Sequence, residues 1–290
     1  MMRLRWLYTI LIVEQIIASG TFLAAKWALL EFPPLTLAFL RFVIAAGGLY
    51  IIHRLWPQRK PIARRDWKSI ALLGFLAVVV NQAFFLYGLK FTSPTHAALL
   101  YGATPVLVFL MAIPLLGERP TLLKKIGVPV TFAGVIVVIA QRGLEWSSKA
   151  WLGDLLILVA VVAWALYTVL GKPLCERYGA VHVTAMSLVA GTVFFVPIGL
   201  FTLGGFDAGS ISTRGWLSLL YIAIATSVIC YTIWFWALER LEATKVSVFN
   251  NLQPVITALL SFWLLGEKIG GQLIVGGVLV IIGVVLTERG

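Results

Sequence analysis

Ten long, mostly apolar stretches follow one another along the chain, each closed by a short cluster of charged, proline or glycine residues. They run from Leu7 to Leu30, Pro33 to His53, Lys68 to Lys90, Pro94 to Leu116, Thr121 to Gln141, Trp151 to Leu170, Ala180 to Leu203, Trp216 to Leu238, Ala243 to Leu265 and Gly270 to Leu286. Each approaches or exceeds the roughly 20 residues with which a helix crosses a bilayer core. Unpaired backbone groups are costly in hydrocarbon, so a succession of such spans is predicted to be helical throughout. The expected fold is an all-α membrane protein with ten transmembrane helices.

The pattern is written twice. The segment from Gly88, GLKFTSPTHAALLYGATPVLVFLMAIPLLGERP, lies without a gap on the segment from Ala237, ALERLEATKVSVFNNLQPVITALLSFWLLGEKIG, an offset of 149. Pro105 meets Pro254, Gly117-Glu118 meets Gly266-Glu267, and upstream Trp67 meets Trp216. With five spans per copy, the second copy enters the bilayer upside down. The chain therefore divides into a first repeat, residues 1–146, and a second, inverted one, residues 147–290. Inverted repeats are the frame many secondary transporters use to alternate access to a site at the membrane midplane.

Composition agrees: 60% of residues are apolar and 12% charged, with a mean hydropathy of +0.97, where soluble domains carry about 25% charge. The net charge of +11 would ordinarily suggest a polyanion partner. Here the placement of Lys and Arg accounts for it. With the N-terminus inside, 16 basic residues fall in inner segments and 6 in outer ones, as the positive-inside rule asks. Nucleic acid is thus not expected as a partner, and both termini are placed in the cytoplasm. The first span is read as retained, since Glu14 and Lys26 interrupt it and Ile17–Lys26 has a counterpart in Ala163–Lys172.

No GxxxxGK[ST] loop supplies an ATP engine, and no HExxH or GxSxG motif suggests an enzyme. His53, His96 and His182 are dispersed, and Cys175 and Cys230 form no CxxC pair. No catalytic residue, metal site or cofactor is expected. Any chemistry must lie between the helices.

Polar side chains in a membrane helix face the bundle interior or a cavity, and helical spacing groups them into stripes. Such stripes recur in both copies. Glu14, Ala18 and Thr21 in the first span match Ala160, Trp164 and Tyr167 in the sixth. Val78, Gln82 and Phe85 in the third match Ser227, Tyr231 and Trp234 in the eighth. Ala97, Tyr101, Thr104 and Val108 in the fourth match Val246, Asn250, Gln253 and Thr257 in the ninth. The expected substrate path is lined by Glu14, Thr21, Gln82, Tyr101, Trp164, Tyr167, Tyr231, Trp234, Asn250 and Gln253, with His96 at a vestibule. Pro105 and Pro254 each remove a helical donor at matching depth, which marks them as hinges. The fifth and tenth spans carry a repeated glycine stripe, Gly127/Gly134 and Gly276/Gly283, and are expected to pack at the periphery or in a dimer. Lys26 and Lys172 are expected to snorkel to headgroups.

Glu14 lies about 10 Å from the inner edge and Arg41 about 12 Å from the outer one. Two readings stay open for the pair. Glu14 is a proton or substrate-amine site with Arg41 capturing a carboxylate, or the two form a structural ion pair.

The second-span segment PLTLAFLRF, with SPTHAALLYGATPVLVFLMAIPLLGERP and ATKVSVFNNLQPVITALLSFWLLGEK, resembles the EamA-type branch of the drug/metabolite transporter superfamily over essentially the whole chain. The resemblance implies a secondary transporter of a bacterial inner membrane that exports amino acids or related metabolites. Within the branch, the aromatic and polar stripes look most like the YddG-type amino-acid exporters. Glu14 also resembles the first-helix carboxylate of the small multidrug exporters, although Ala160 stands at the matching place of the second copy. The expected function is export of amino acids or similar metabolites through a cavity between spans 1, 3, 4, 6, 8 and 9. The alternatives are a lipophilic-cation exporter and, less favoured for want of a filter loop, a channel. Small-molecule substrate and lipid are the expected partners, and no obligate protein partner is evident.

Overall fold

The computed structural model describes residues 2–56, 60–92, 94–140, 148–265 and 271–290, and every element it describes is helical. In chain order these are α1 (Met2–Ala28), α2 (Pro34–Leu55), α3 (Arg64–Phe91), α4 (Pro94–Tyr101), α5 (Thr104–Leu116), α6 (Leu122–Ala140), α7 (Ser148–Tyr178), α8 (Ala180–Leu203), α9 (Thr213–Leu238), α10 (Ala243–Val248), α11 (Leu252–Leu265) and α12 (Gly271–Arg289). Six of them, α1, α2, α3, α7, α8 and α9, are long and apolar enough to cross a bilayer. Helix ends follow local chemistry: Pro34 opens α2, where a missing N–H costs nothing. Gly117 (φ 68°) closes α5 and Gly179 (φ 87°) separates α7 from α8 in the left-handed region that glycine enters freely.

The fold is apolar on its surface as well as in its core. Phe201, Trp263 and Ile274 stand exposed, while Arg41, Glu14, Gln15, Asn81 and Asn251 are buried. In lipid this is the low-energy arrangement, because apolar surface needs no cover and polar groups need each other.

The helices pack in matched sets that join one half of the chain to the other. Helix α3 packs on α7 and α8, and its counterpart α9 packs on α1 and α2. Likewise α5 rests on α7 and α10, while α11 rests on α1 and α4. The fifth and tenth spans, α6 and α12, pack on each other within the chain: Gly127 abuts Gly283 and Gly134 abuts Gly276, so the two run antiparallel. Their glycine stripe thus serves internal packing. Lys26 donates to the carbonyls of Leu89 and Thr92, both at 2.7 Å. Lys172 donates to those of Leu238 and Leu241, at 2.8 and 2.7 Å. Adding the offset of 149 to residues 89 and 92 gives 238 and 241. Both lysines therefore tie off the open carbonyls at the ends of α3 and α9 instead of reaching for headgroups.

Two pairs of irregularities fall at matching depth. Helix α3 widens into a π turn over Phe75–Asn81, and α9 does so over Tyr221–Cys230. The fourth span breaks at Gly102 and Ala103 between α4 and α5, and the ninth narrows to a 3-10 turn at Phe249–Asn251 between α10 and α11. Pro105 and Pro254 stand in the first turn of the segment that follows each break. They start a new helix where the sequence suggested a kink within one.

A Cβ at Gly283 would strike the Thr131 amide and the Gly127 carbonyl, whereas one at Gly271 meets open space. Gly283→Ala is expected to destabilise by about 1–3 kcal/mol through overpacking and to lower the melting temperature in detergent, with Gly271→Ala showing no such loss. Outside the membrane, Glu31 accepts hydrogen bonds from the Ser212 amide (2.6 Å) and hydroxyl (2.7 Å). The hydroxyl and then the amide of Ser212, with Arg214 nearby, hold its carboxyl below the ordinary glutamate value. A depressed carboxylate stabilises above its unfolded pKa and loses that contribution as pH falls through the folded one. The melting-temperature gap between wild type and Glu31→Gln is therefore expected to be open at neutral pH and to close below the ordinary glutamate range.

Candidate functional site

A cavity lies where α1, α2, α3, α4, α7 and α9 meet the break between α10 and α11. Its volume is about 60 Å³, well below the roughly 300–1,000 Å³ of open small-molecule sites. Eight residues expected on the path line it: Glu14, Thr21, Gln82, Tyr101, Trp164, Tyr231, Asn250 and Gln253. Arg41 lines it too. Tyr167 and Trp234, expected beside them, lie one layer behind. Trp234 is buried with its indole N–H donated to Thr168 Oγ1 (3.1 Å), and Tyr167 is sandwiched between Trp164 and Phe235. The His96 side chain lies outside the described part of the structure, as do Gln141–Ser147, where the two repeats were divided, and Gly266-Glu267.

The π turns explain which residues reach the cavity. A regular helix would present Val78, Gln82 and Phe85; the wider turn brings Asn81 round beside Gln82 and leaves Val78 against Gly191 of α8. In α9 the same widening presents Thr226 and Cys230 with Tyr231 and turns Trp234 away. A π turn holds one more residue than an α turn, so adjacent residues come to share a face. Asn81, Thr226 and Cys230 were missed for this reason, and no pattern of apolar spacing marks a π turn.

One wall is a chain of hydrogen bonds that begins at Arg41. Arg41 donates through Nε to Ser227 Oγ (2.7 Å) and through its guanidinium to Gln82 Oε1. The Gln82 amide donates in turn to Asn81 Oδ1 (2.5 Å) and the Tyr231 hydroxyl (3.2 Å), and Asn81 Nδ2 donates to the Tyr101 hydroxyl (2.8 Å) and the Ala160 carbonyl (2.7 Å). Each tyrosine oxygen accepts an amide hydrogen, so each O–H remains available as a donor. The second wall carries the acid. Glu14 accepts from Gln15 Nε2 (2.6 Å), and Gln15 Oε1 accepts from Gln253 Nε2 (2.8 Å). Thr21 and Thr226 share a 2.7 Å bond between them.

Among the described residues no ion pair joins Glu14 to Arg41, so the direct structural pair that their depths allowed is not formed. Each of these ionisable groups is buried among neutral dipoles, where the charged form costs free energy unless a partner offsets it. Aromatic rings close the remaining sides. Phe22, Phe85 and Tyr101 meet edge to face with centroids 5.7–5.9 Å apart, and Trp164 leans on Tyr231 at 5.0 Å. No group of three or more histidine, cysteine or acidic side chains that could hold a metal occurs among the described residues.

Comparison with known proteins matches this architecture. A 33% identical relative, an uncharacterized transporter of Archaeoglobus fulgidus, aligns over 97% of this chain and 96% of its own. The uncharacterized transporter YyaM of Bacillus subtilis is 33% identical over 98% and 93%. A protein of Streptantibioticus cattleyicolor named "probable terminal-alkyne amino-acid exporter" is 31% identical over 88% and 82%. A solved crystal structure superposes with a TM-score of 0.78 over 96% of this chain and 95% of its own at 20% identity, a likeness of fold. The profile of the EamA-like transporter family matches twice, over residues 5–140 and again over 151–289. With apolar helices, polar interior and a doubled family match over nearly all its length, this multi-pass membrane protein belongs to the EamA-like transporter family.

Proposed function

We propose that the chain is a secondary transporter that exports amino acids or similar small zwitterions across the plasma membrane by alternating access. Ten spans in two inverted five-helix repeats, divided near residue 146, form the frame, with both termini cytoplasmic. Support for the inversion comes from repeat-matched packing, above all the antiparallel crossing of α6 and α12 at exchanged glycines. The breaks before Pro105 and Pro254 serve as hinges at which the halves rock.

The observation that carries the substrate reading is a buried acid, Glu14, and a buried base, Arg41, on one cavity and not paired with each other. A zwitterion supplies both missing partners. Its carboxylate would meet the Arg41 guanidinium, which can take it in a bidentate geometry, and the Tyr101 and Tyr231 hydroxyls. Its ammonium would meet Glu14. The side chain would rest among Phe22, Phe85 and Trp164. The relative named an amino-acid exporter fits this reading. Glu14 beneath aromatic walls also suits a lipophilic cation, which would leave Arg41 without a role.

Uptake into proteoliposomes with labelled amino acids, lipophilic cations and sugar phosphates, with and without a pH gradient, separates these readings. Saturable amino-acid flux is expected; saturable flux of cations alone would overturn the proposal. Arg41→Met is expected to abolish amino-acid flux while leaving cation binding intact. Trp164→Ala and Gln82→Ala are each expected to raise the half-saturation concentration about tenfold, equivalent to about 1.4 kcal/mol, with folded protein retained by size-exclusion chromatography. Normal transport in both variants would remove this cavity as the substrate path.

A further inference from the structure

Away from the cavity, two loops from opposite halves are bolted together by one carboxylate. Glu118, just past the end of α5, accepts hydrogen bonds from the amides of Ala243 (2.5 Å) and Thr244 (3.2 Å) and from the Thr244 hydroxyl (2.6 Å). These are the opening residues of α10, whose first amides have no helical acceptor. Beside this junction Lys124, almost wholly buried at the start of α6, pairs with Glu242, the residue before α10. Its ammonium also donates to the Arg119 carbonyl (3.3 Å). A second lysine, Lys245, fastens α10 to the end of α12 by donating to the Glu288 carbonyl (2.9 Å).

The position of the junction gives it a mechanical role. Glu118 stands at the end of the arm α4–α5, which carries Tyr101 to the cavity, and α10 begins the arm that carries Asn250 and Gln253. Both arms are interrupted beside the cavity, so α5 and α10 can each tilt about the break. Separation of α5 from α10 on the face that bears Arg119, Lys125 and Arg240 would open a passage from that face. It would also break every bond that Glu118 makes to α10.

We infer that Glu118, backed by the Lys124–Glu242 pair, is a positioning residue that latches the two repeats together and holds the cavity closed toward the basic face. The inference rests on the alternating-access reading. The structure then corresponds to the state shut on that side, and release of the latch is part of each transport cycle. Carboxylate-to-amide bonds suit such a device because they are directional and are lost over a small displacement.

Cys230, which lines the cavity, is a native reporter. In a Cys175→Ser background, its rate of modification by a membrane-impermeant methanethiosulfonate is measured from each face, in intact cells and in inside-out vesicles. Glu118→Ala and Lys124→Met are expected to speed modification from the basic face about tenfold and to slow it from the other, with Glu118→Asp intermediate. Unchanged rates in both folded variants would overturn the latch while leaving alternating access standing. Acceleration from both faces would also overturn it, because general loosening has no side. If Cys230 in the parent is open to both faces at once, alternating access fails and the latch fails with it.

Discussion

Hydrocarbon offers no water to a stray polar atom, and this constraint shapes the molecule more than any other. Backbone groups meet it by becoming helical. Where helices end or break, side chains take over: Lys26 and Lys172 gather the last carbonyls of α3 and α9, and Glu118 gathers the first amides of α10. Many polar side chains around the cavity meet it by clustering into two chains of amides and hydroxyls, while Asn251 and the Asn250 Nδ2 atom make no such bond. Those chains rigidify the site, since every member is held by a neighbour of fixed geometry.

The chains hold Glu14 and Arg41 apart. Gln82 and Ser227 accept hydrogen bonds from Arg41, and Gln15 donates one to Glu14. A protein selected for stability alone would do better with an ion pair or with apolar residues at these two places. Acid and base are thus kept apart on one cavity, each held by neutral hydrogen-bonding groups.

Much of this was legible in the residues. Apolar length placed most helix ends within a few residues, because lipid thickness limits where a span can stop, but α7 continues to Tyr178, well past the expected Leu170, and the fourth and ninth spans are each broken in two. The repeat selected Glu14, Gln82, Tyr101, Asn250 and Gln253, all of which reach the cavity. Other features were hidden for identifiable reasons. Asn81, Thr226 and Cys230 were overlooked and Trp234 was placed a layer too far forward, since a stripe drawn at 3.6 residues per turn cannot follow a π turn. Lys26 and Lys172 looked like lipid-facing lysines because their carbonyl partners lie 63 and 66 residues away, and 66 and 69 residues away, along the chain. Gln15 was passed over because it sits beside the stripe of Glu14, yet it is the residue that connects the acid to Gln253.

The paired π turns carry a consequence for register. They occupy corresponding stretches of α3 and α9, and the two halves align from Trp67 onto Trp216 through to Glu118 onto Glu267 at one constant offset. A residue added to a helix turns everything beyond it by about 100°, so an extra residue acquired by one half after duplication would have broken that offset. The widened turn therefore belongs to the pattern that the two segments share. Both segments hold their cavity-facing residues in one register and differ in which side chains they present: Asn81, Gln82 and Phe85 in α3, against Thr226, Cys230 and Tyr231 in α9.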